Sequence, residues 1–115
     1  MDRKVSLYRQ NEQLLANIKL ADTFGGRCRG LMFYQAMPGV AGIILYPCNF
    51  VHLFWMRFPL DLVYINRNRE VLLIRENISP NRIGPYIKDA YFVLETEAGS
   101  LAGKNIRKGE QLWWK

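Results

Sequence analysis

The chain is poor in the residues that anchor metal and redox chemistry. Its 115 residues hold one histidine, His52, and two cysteines, Cys28 and Cys48. A zinc site takes about three or four donors, so it would have to recruit carboxylates, and no metal is expected. Two cysteines do not make a disulfide framework. Cys48 and His52 are near enough in sequence for a nucleophile–base pair, but no orienting residue or oxyanion loop accompanies them. The sequence also lacks GxGxxG, the P-loop, GxSxG and HExxH, and Gly25-Gly26 before Arg27 has the wrong setting for a phosphate loop. No cofactor is expected, and no catalytic motif is recognisable. No run reaches the roughly 18 apolar residues that span a bilayer, so no membrane partner is expected. The N-terminal "MDRKVSLYRQNEQLL" is polar and charged, with no apolar signal segment. The expectation is a cytoplasmic chain with reduced thiols.

What is present is apolar mass. Half the residues are hydrophobic and 13% are aromatic, enough for a core without staples, and the length suits one domain, residues 1–115. Sixteen Lys and Arg stand against ten Asp and Glu, a net charge of +6. That balance favours anionic partners. The basic residues are nevertheless scattered, so nucleic acid ranks last among them.

Short segments with turn signals dominate. "KVSLY" and "LLANIKL" flank "RQNEQ" as a hairpin. "RCRGLMF" reads as a short helix capped by Asp22 or Thr23. "AGIILYP" reads as a buried strand, and "VHLFWMRF" as a strand covered on both faces and broken by Pro59. "LDLVYI", "EVLLIRENI", "AYFVLETEAG" and a last strand ending in Trp113-Trp114 complete the pattern, with "SPNRIGPYIKD" as a loop. The expected fold is mostly β: an antiparallel sandwich or barrel-like single domain with one or two short helices.

The segments "RCRGLMF", "GIILYPC", "VHLFWMRFPLDLVYIN", "AYFVLETEAG" and "IRKGEQL" occur in the order and spacing of a known family. The chain resembles the domain of unknown function 192 family of small bacterial and archaeal proteins, over about Leu20 to Trp113. The resemblance implies an antiparallel β-sandwich-like fold with a short helix around "RCRGLM", and no established activity. Glu110 stands where many relatives carry Asp.

The residues that invite a functional reading cluster in "HLFWMRFPLD". Read as a strand, His52, Phe54, Met56 and Phe58 share one face, and Leu53, Trp55 and Arg57 the other. A guanidinium amid rings keeps its charge and needs an acid or an anion. Asp61 and Glu95 are the candidate partners of Arg57, as a structural brace or as part of a site. Arg82, in the "NRIGP" loop, could fold over the corner. The candidate ligand-binding set is therefore His52, Trp55, Arg57, Asp61, Arg82 and Glu95. It suits a small non-enzymatic binding module for a small anionic or peptide-like ligand. A small hydrolase using Asp61 or His52 as base is the alternative, and nucleic-acid binding through a basic surface a further one. On the last strand, one of Trp113 and Trp114 should face inward and the other outward.

Overall fold

The structure, a computed structural model, describes residues 3–22, 39–54 and 56–115. Seven strands follow in chain order: β1 (Arg3–Arg9), β2 (Glu12–Asp22), β3 (Gly42–Tyr46), β4 (Leu60–Asn66), β5 (Val71–Ile78), β6 (Ala90–Glu97) and β7 (Trp113–Trp114). They form one sheet in the order β5-β4-β6-β3-β2-β1-β7, curled into a half-barrel. The fold is all-β, as expected. Among the described residues there is no helix, and the expected helix at "RCRGLMF" lies outside them.

Two features differ from the expected pattern. Pairing is antiparallel except between β2 and β3, which run parallel, with Ile18 opposite Gly42 and Asp22 opposite Tyr46. A hairpin cannot make a parallel pair, and the 19 residues between Asp22 and Gly42 give the length a crossover takes. The second difference is "VHLFWMRF", which is not a strand of the sheet. Among the described residues it pairs instead with residues 81–84, through an antiparallel bridge from His52 to Ile83. The Met56 N–H then donates to the Leu53 carbonyl, turning the chain. Uniform apolarity signalled burial there, but a covering segment is as apolar as a central strand.

Alternation along the strands builds two cores, one on each side of the sheet. On one side, Val5, Leu7, Ile18, Ile44, Val63, Ile65, Phe92, Leu94 and Trp114 fill the inside of the curl. On the other, Ile43, Leu45, Leu62, Tyr64 and Val93 are covered by Val51, Leu53, Met56 and Phe58. This is why all of β4 from Leu60 to Ile65 is buried.

The sheet's two edges meet at one end. The Val71 N–H donates to the Glu110 carbonyl, the Gly109 N–H to Val71 and the Leu112 N–H to Arg69. A fork from Arg9 on β1 reinforces this closure: its Nε and Nη2 donate to Glu110 at 2.6 and 3.1 Å. The Arg9 guanidinium holds the Glu110 carboxyl below the usual carboxylate range.

Candidate functional site

The corner is a ribbon, built from residues 49–54 and 81–87. The Leu53 N–H donates to Arg82, the Gly84 N–H to Val51 and the Ile87 N–H to Asn49. Proline and glycine keep 79–86 from forming a regular strand, so the ribbon is short. Val51, Leu53 and Gly84 face the sheet and are buried, while Phe50, Phe54, Ile83 and Tyr86 are exposed. The His52 ring stacks on Phe54 at 4.8 Å, and His52 Nδ1 accepts from the Phe54 N–H at 3.4 Å.

Gly84 is fixed by space rather than by dihedral. A Cβ there would meet the Tyr64 hydroxyl at 2.6 Å. That hydroxyl is buried and makes no hydrogen bond among the described residues. Burial, then the neighbouring Cys48 and Glu95, hold the phenol protonated well above its usual range.

The expected site residues separate. Asp61 pairs with Thr96 across β4 and β6, and Leu62 pairs with Glu95. Opposed residues share a face and successive ones alternate, so Asp61 and Glu95 lie on opposite sides of the sheet. Asp61 is 1% exposed. It accepts from the backbone N–H groups of Asn77 at 2.8 Å, Gly99 at 3.0 Å and Leu101 at 3.4 Å. Its acidity serves the backbone, tying the end of β5 to the turn after β6. Glu95 sits among Ile43, Leu62 and Tyr64 beneath the ribbon, and burial pushes its carboxyl up to about 7. Arg57 is exposed, and among the described residues it makes no ion pair with Asp61, Glu95 or any other acid. The expected Arg57 brace is therefore absent: the turn at Leu53–Met56 shifts the alternation, and Arg57 emerges into solvent. His52 and Arg82 lie on the ribbon's two strands, His52 bridged to Ile83 and Arg82 opposite Leu53, whose N–H donates to its carbonyl. Trp55 lies outside the described residues.

A cleft opens beside the ribbon, about 480 Å³ in volume, where Asn49, Arg67, Asn68, Lys88, Asp89 and Tyr91 converge. Sequence reading missed it because its walls are two turns far apart in the chain. "NRNRE" did signal a turn, but nothing in the sequence aimed it at Tyr91. Cys48 contributes to the wall as a half-buried thiol donating to the Phe50 carbonyl at 3.3 Å. No three His, Cys, Asp or Glu side chains among the described residues are placed to hold a metal ion. No described helix is long and apolar enough to cross a membrane. The terminal tryptophans divide as expected. Trp114 is buried against Phe92, and Trp113 lies outward but half-covered, stacked on Tyr8 at 4.4 Å.

Known proteins give this architecture a family and no activity. The chain is 29% identical over 104 residues to a UPF0127 protein of Thermococcus sibiricus, covering 84% of this chain and 65% of that one. It thus spans less than two thirds of that relative's length. A UPF0127 protein of Pyrococcus furiosus is 26% identical over 110 residues, covering 91% of this chain and 92% of its own. Two solved structures share the fold, each with a TM-score of 0.77. One is a Novosphingobium aromaticivorans protein of unknown function, 23% identical, the match covering 98% of this chain and 85% of that one. The other is a Sinorhizobium meliloti protein whose name suggests a transcription regulator, 22% identical, covering 99% and 94%. The family model described as "Uncharacterized ACR" matches residues 6–114, and the chain belongs to that family, domain of unknown function 192.

Proposed function

We propose that the protein is a non-enzymatic binding module whose ribbon takes an acidic, peptide-like ligand. One observation carries this reading. The exposed large hydrophobics among the described residues, Phe50, Phe54, Ile83 and Tyr86, all lie on the ribbon. Exposed apolar side chains gathered in one place mark interaction surfaces more often than singly scattered ones do. The ribbon's own residues, 49–54 and 81–87, include Arg82 and no Asp or Glu, and Arg57 is exposed a few residues on. A ligand that adds carboxylates to apolar side chains complements both properties.

The hydrolase reading draws no support from Asp61, whose oxygens are occupied by backbone donors. His52, half-exposed on the ribbon, remains its one base.

The test is an amide chemical-shift titration with short peptides that pair Glu or Asp with Phe or Leu, against basic and neutral peptides of the same length. The acidic set should perturb residues 50–54, 57 and 82–86. Phe50→Ala and Arg82→Gln should each weaken binding about tenfold, the usual loss for an interface anchor worth roughly 1–2 kcal/mol. Shifts spread over the whole surface, or equal responses to acidic and basic peptides, would remove the proposal.

A further inference from the structure

The cleft beside the ribbon has a chemistry of its own. Its two cations stand on separate hydrogen-bonded turns. Asn66 fixes the first: its Oδ1 accepts from the Asn68 and Glu70 N–H groups, both at 2.9 Å. That turn presents Arg67 and Asn68. In the second, the Ala90 N–H donates to the Ile87 carbonyl at 3.0 Å, presenting Lys88 and Asp89. The third wall, Pro47–Asn49, is tethered to both ends of the second turn, with the Cys48 N–H on Tyr91 at 2.8 Å and Asn49 accepting from Ile87 at 3.0 Å.

Arg67 is the decisive group. Its guanidinium carbon lies 4.3 Å from the centre of the Tyr91 ring. The ring face attracts the cation and leaves guanidinium N–H groups for a planar or tetrahedral oxyanion. Among the described residues neither Arg67 nor Lys88 forms an ion pair, even with Asp89 in the same cleft. The side-chain amides of Asn49 and Asn68 are likewise unengaged among the described residues, in contrast to that of Asn66. The cleft volume of about 480 Å³ suits a small metabolite.

We infer that this cleft binds a small hydroxylated organic anion, its oxyanion on Arg67 and Lys88 and its hydroxyls on Asn49, Asn68 and Asp89. Two cations against one carboxylate select a net negative ligand. The amides and the single acceptor carboxylate select one that also carries hydroxyl donors. Sugar phosphates and sugar acids share this chemistry.

The experiment is calorimetric titration of the full chain at low salt with glucose 6-phosphate, gluconate, glucose and inorganic phosphate. At least one of the two hydroxylated anions should bind saturably, and at least tenfold more tightly than glucose or inorganic phosphate. Arg67→Gln should abolish that binding, and Arg67→Lys, which keeps the charge and loses the fork, should weaken it about tenfold. Unchanged thermal unfolding of both variants would show that the fold is intact, as expected for an exposed side chain. Four results would overturn the inference: no saturable binding, glucose binding equally well, inorganic phosphate matching the sugar phosphate (an adventitious ion only), or full affinity retained in Arg67→Gln.

Discussion

Single side chains under the ribbon carry most of the testable energetics. Glu95 has its carboxyl raised by burial to about 7, so the folded state holds its proton more tightly than the unfolded chain does. Stability is therefore full below the ordinary carboxylate range, falls as pH rises, and reaches its lower plateau once pH passes about 7. Thermal unfolding of the wild type should drop between pH 5 and 8, and Glu95→Gln should flatten that slope. A parallel slope in the variant would assign the effect to other groups. Tyr64 and Gly84 form a second pair. Gly84→Ala drives a methyl into the phenol oxygen and should cost roughly 1–3 kcal/mol in urea unfolding. Tyr64→Phe removes a buried hydroxyl that has no hydrogen-bond partner among the described residues, so it should be near-neutral or stabilising. The double variant should recover most of the loss, and simple additivity would show that the two do not touch. Asp61 behaves oppositely, because its partners are backbone groups that cannot leave. Asp61→Ala orphans three N–H donors and should cost about 3 kcal/mol.

Elements show why parts of the molecule were legible in the sequence and others were not. β1, β2 and β4–β6 announce themselves through β-branched and aromatic residues bounded by turn signals, and the structure places strands there. The covering segment does not. Leu53 and Phe58 are as apolar as Leu62, and local pattern cannot distinguish lying in a sheet from lying upon one. The candidate residues divide between the two sides of the sheet for a related reason. Asp61 and Glu95 were both candidate partners of Arg57 by type, and only the register of β4 against β6 reveals that they face apart. The "NRIGP" loop was legible as a segment that could fold over the corner, and it pairs with that corner through the His52–Ile83 bridge. At this scale the Arg9–Glu110 fork is the testable contact. Both side chains are about one-fifth exposed, so solvent screens the pair only in part. Arg9→Met should cost roughly 1–2 kcal/mol, read as a lower denaturant midpoint. An unaltered midpoint would reduce the fork to decoration.

Across the whole molecule, closure depends on the C-terminal tryptophan. Trp114 packs edge-on to Phe92 at 4.9 Å, beneath the Arg69 guanidinium at 3.9 Å. It thereby joins the last strand to the β4–β5 turn. Trp114→Ala should cost about 3–5 kcal/mol, as for other large core truncations, and should speed hydrogen exchange at Leu112 and Val71, whose amides sit at the seam. Exchange that quickens elsewhere and spares these two would place the seam's stability in its backbone alone.

The strand order has a consequence for synthesis. β3 and β4 are consecutive in the chain, yet they never touch, because β6 lies between them. While the chain is still growing on the ribosome, β1–β3 and the β4–β5 hairpin are two fragments, each with an open edge awaiting the same strand. The half-barrel cannot exist until Ala90–Glu97 has emerged. A chain halted before Ala90 would present two sticky edges, a natural target for chaperones and for clumping.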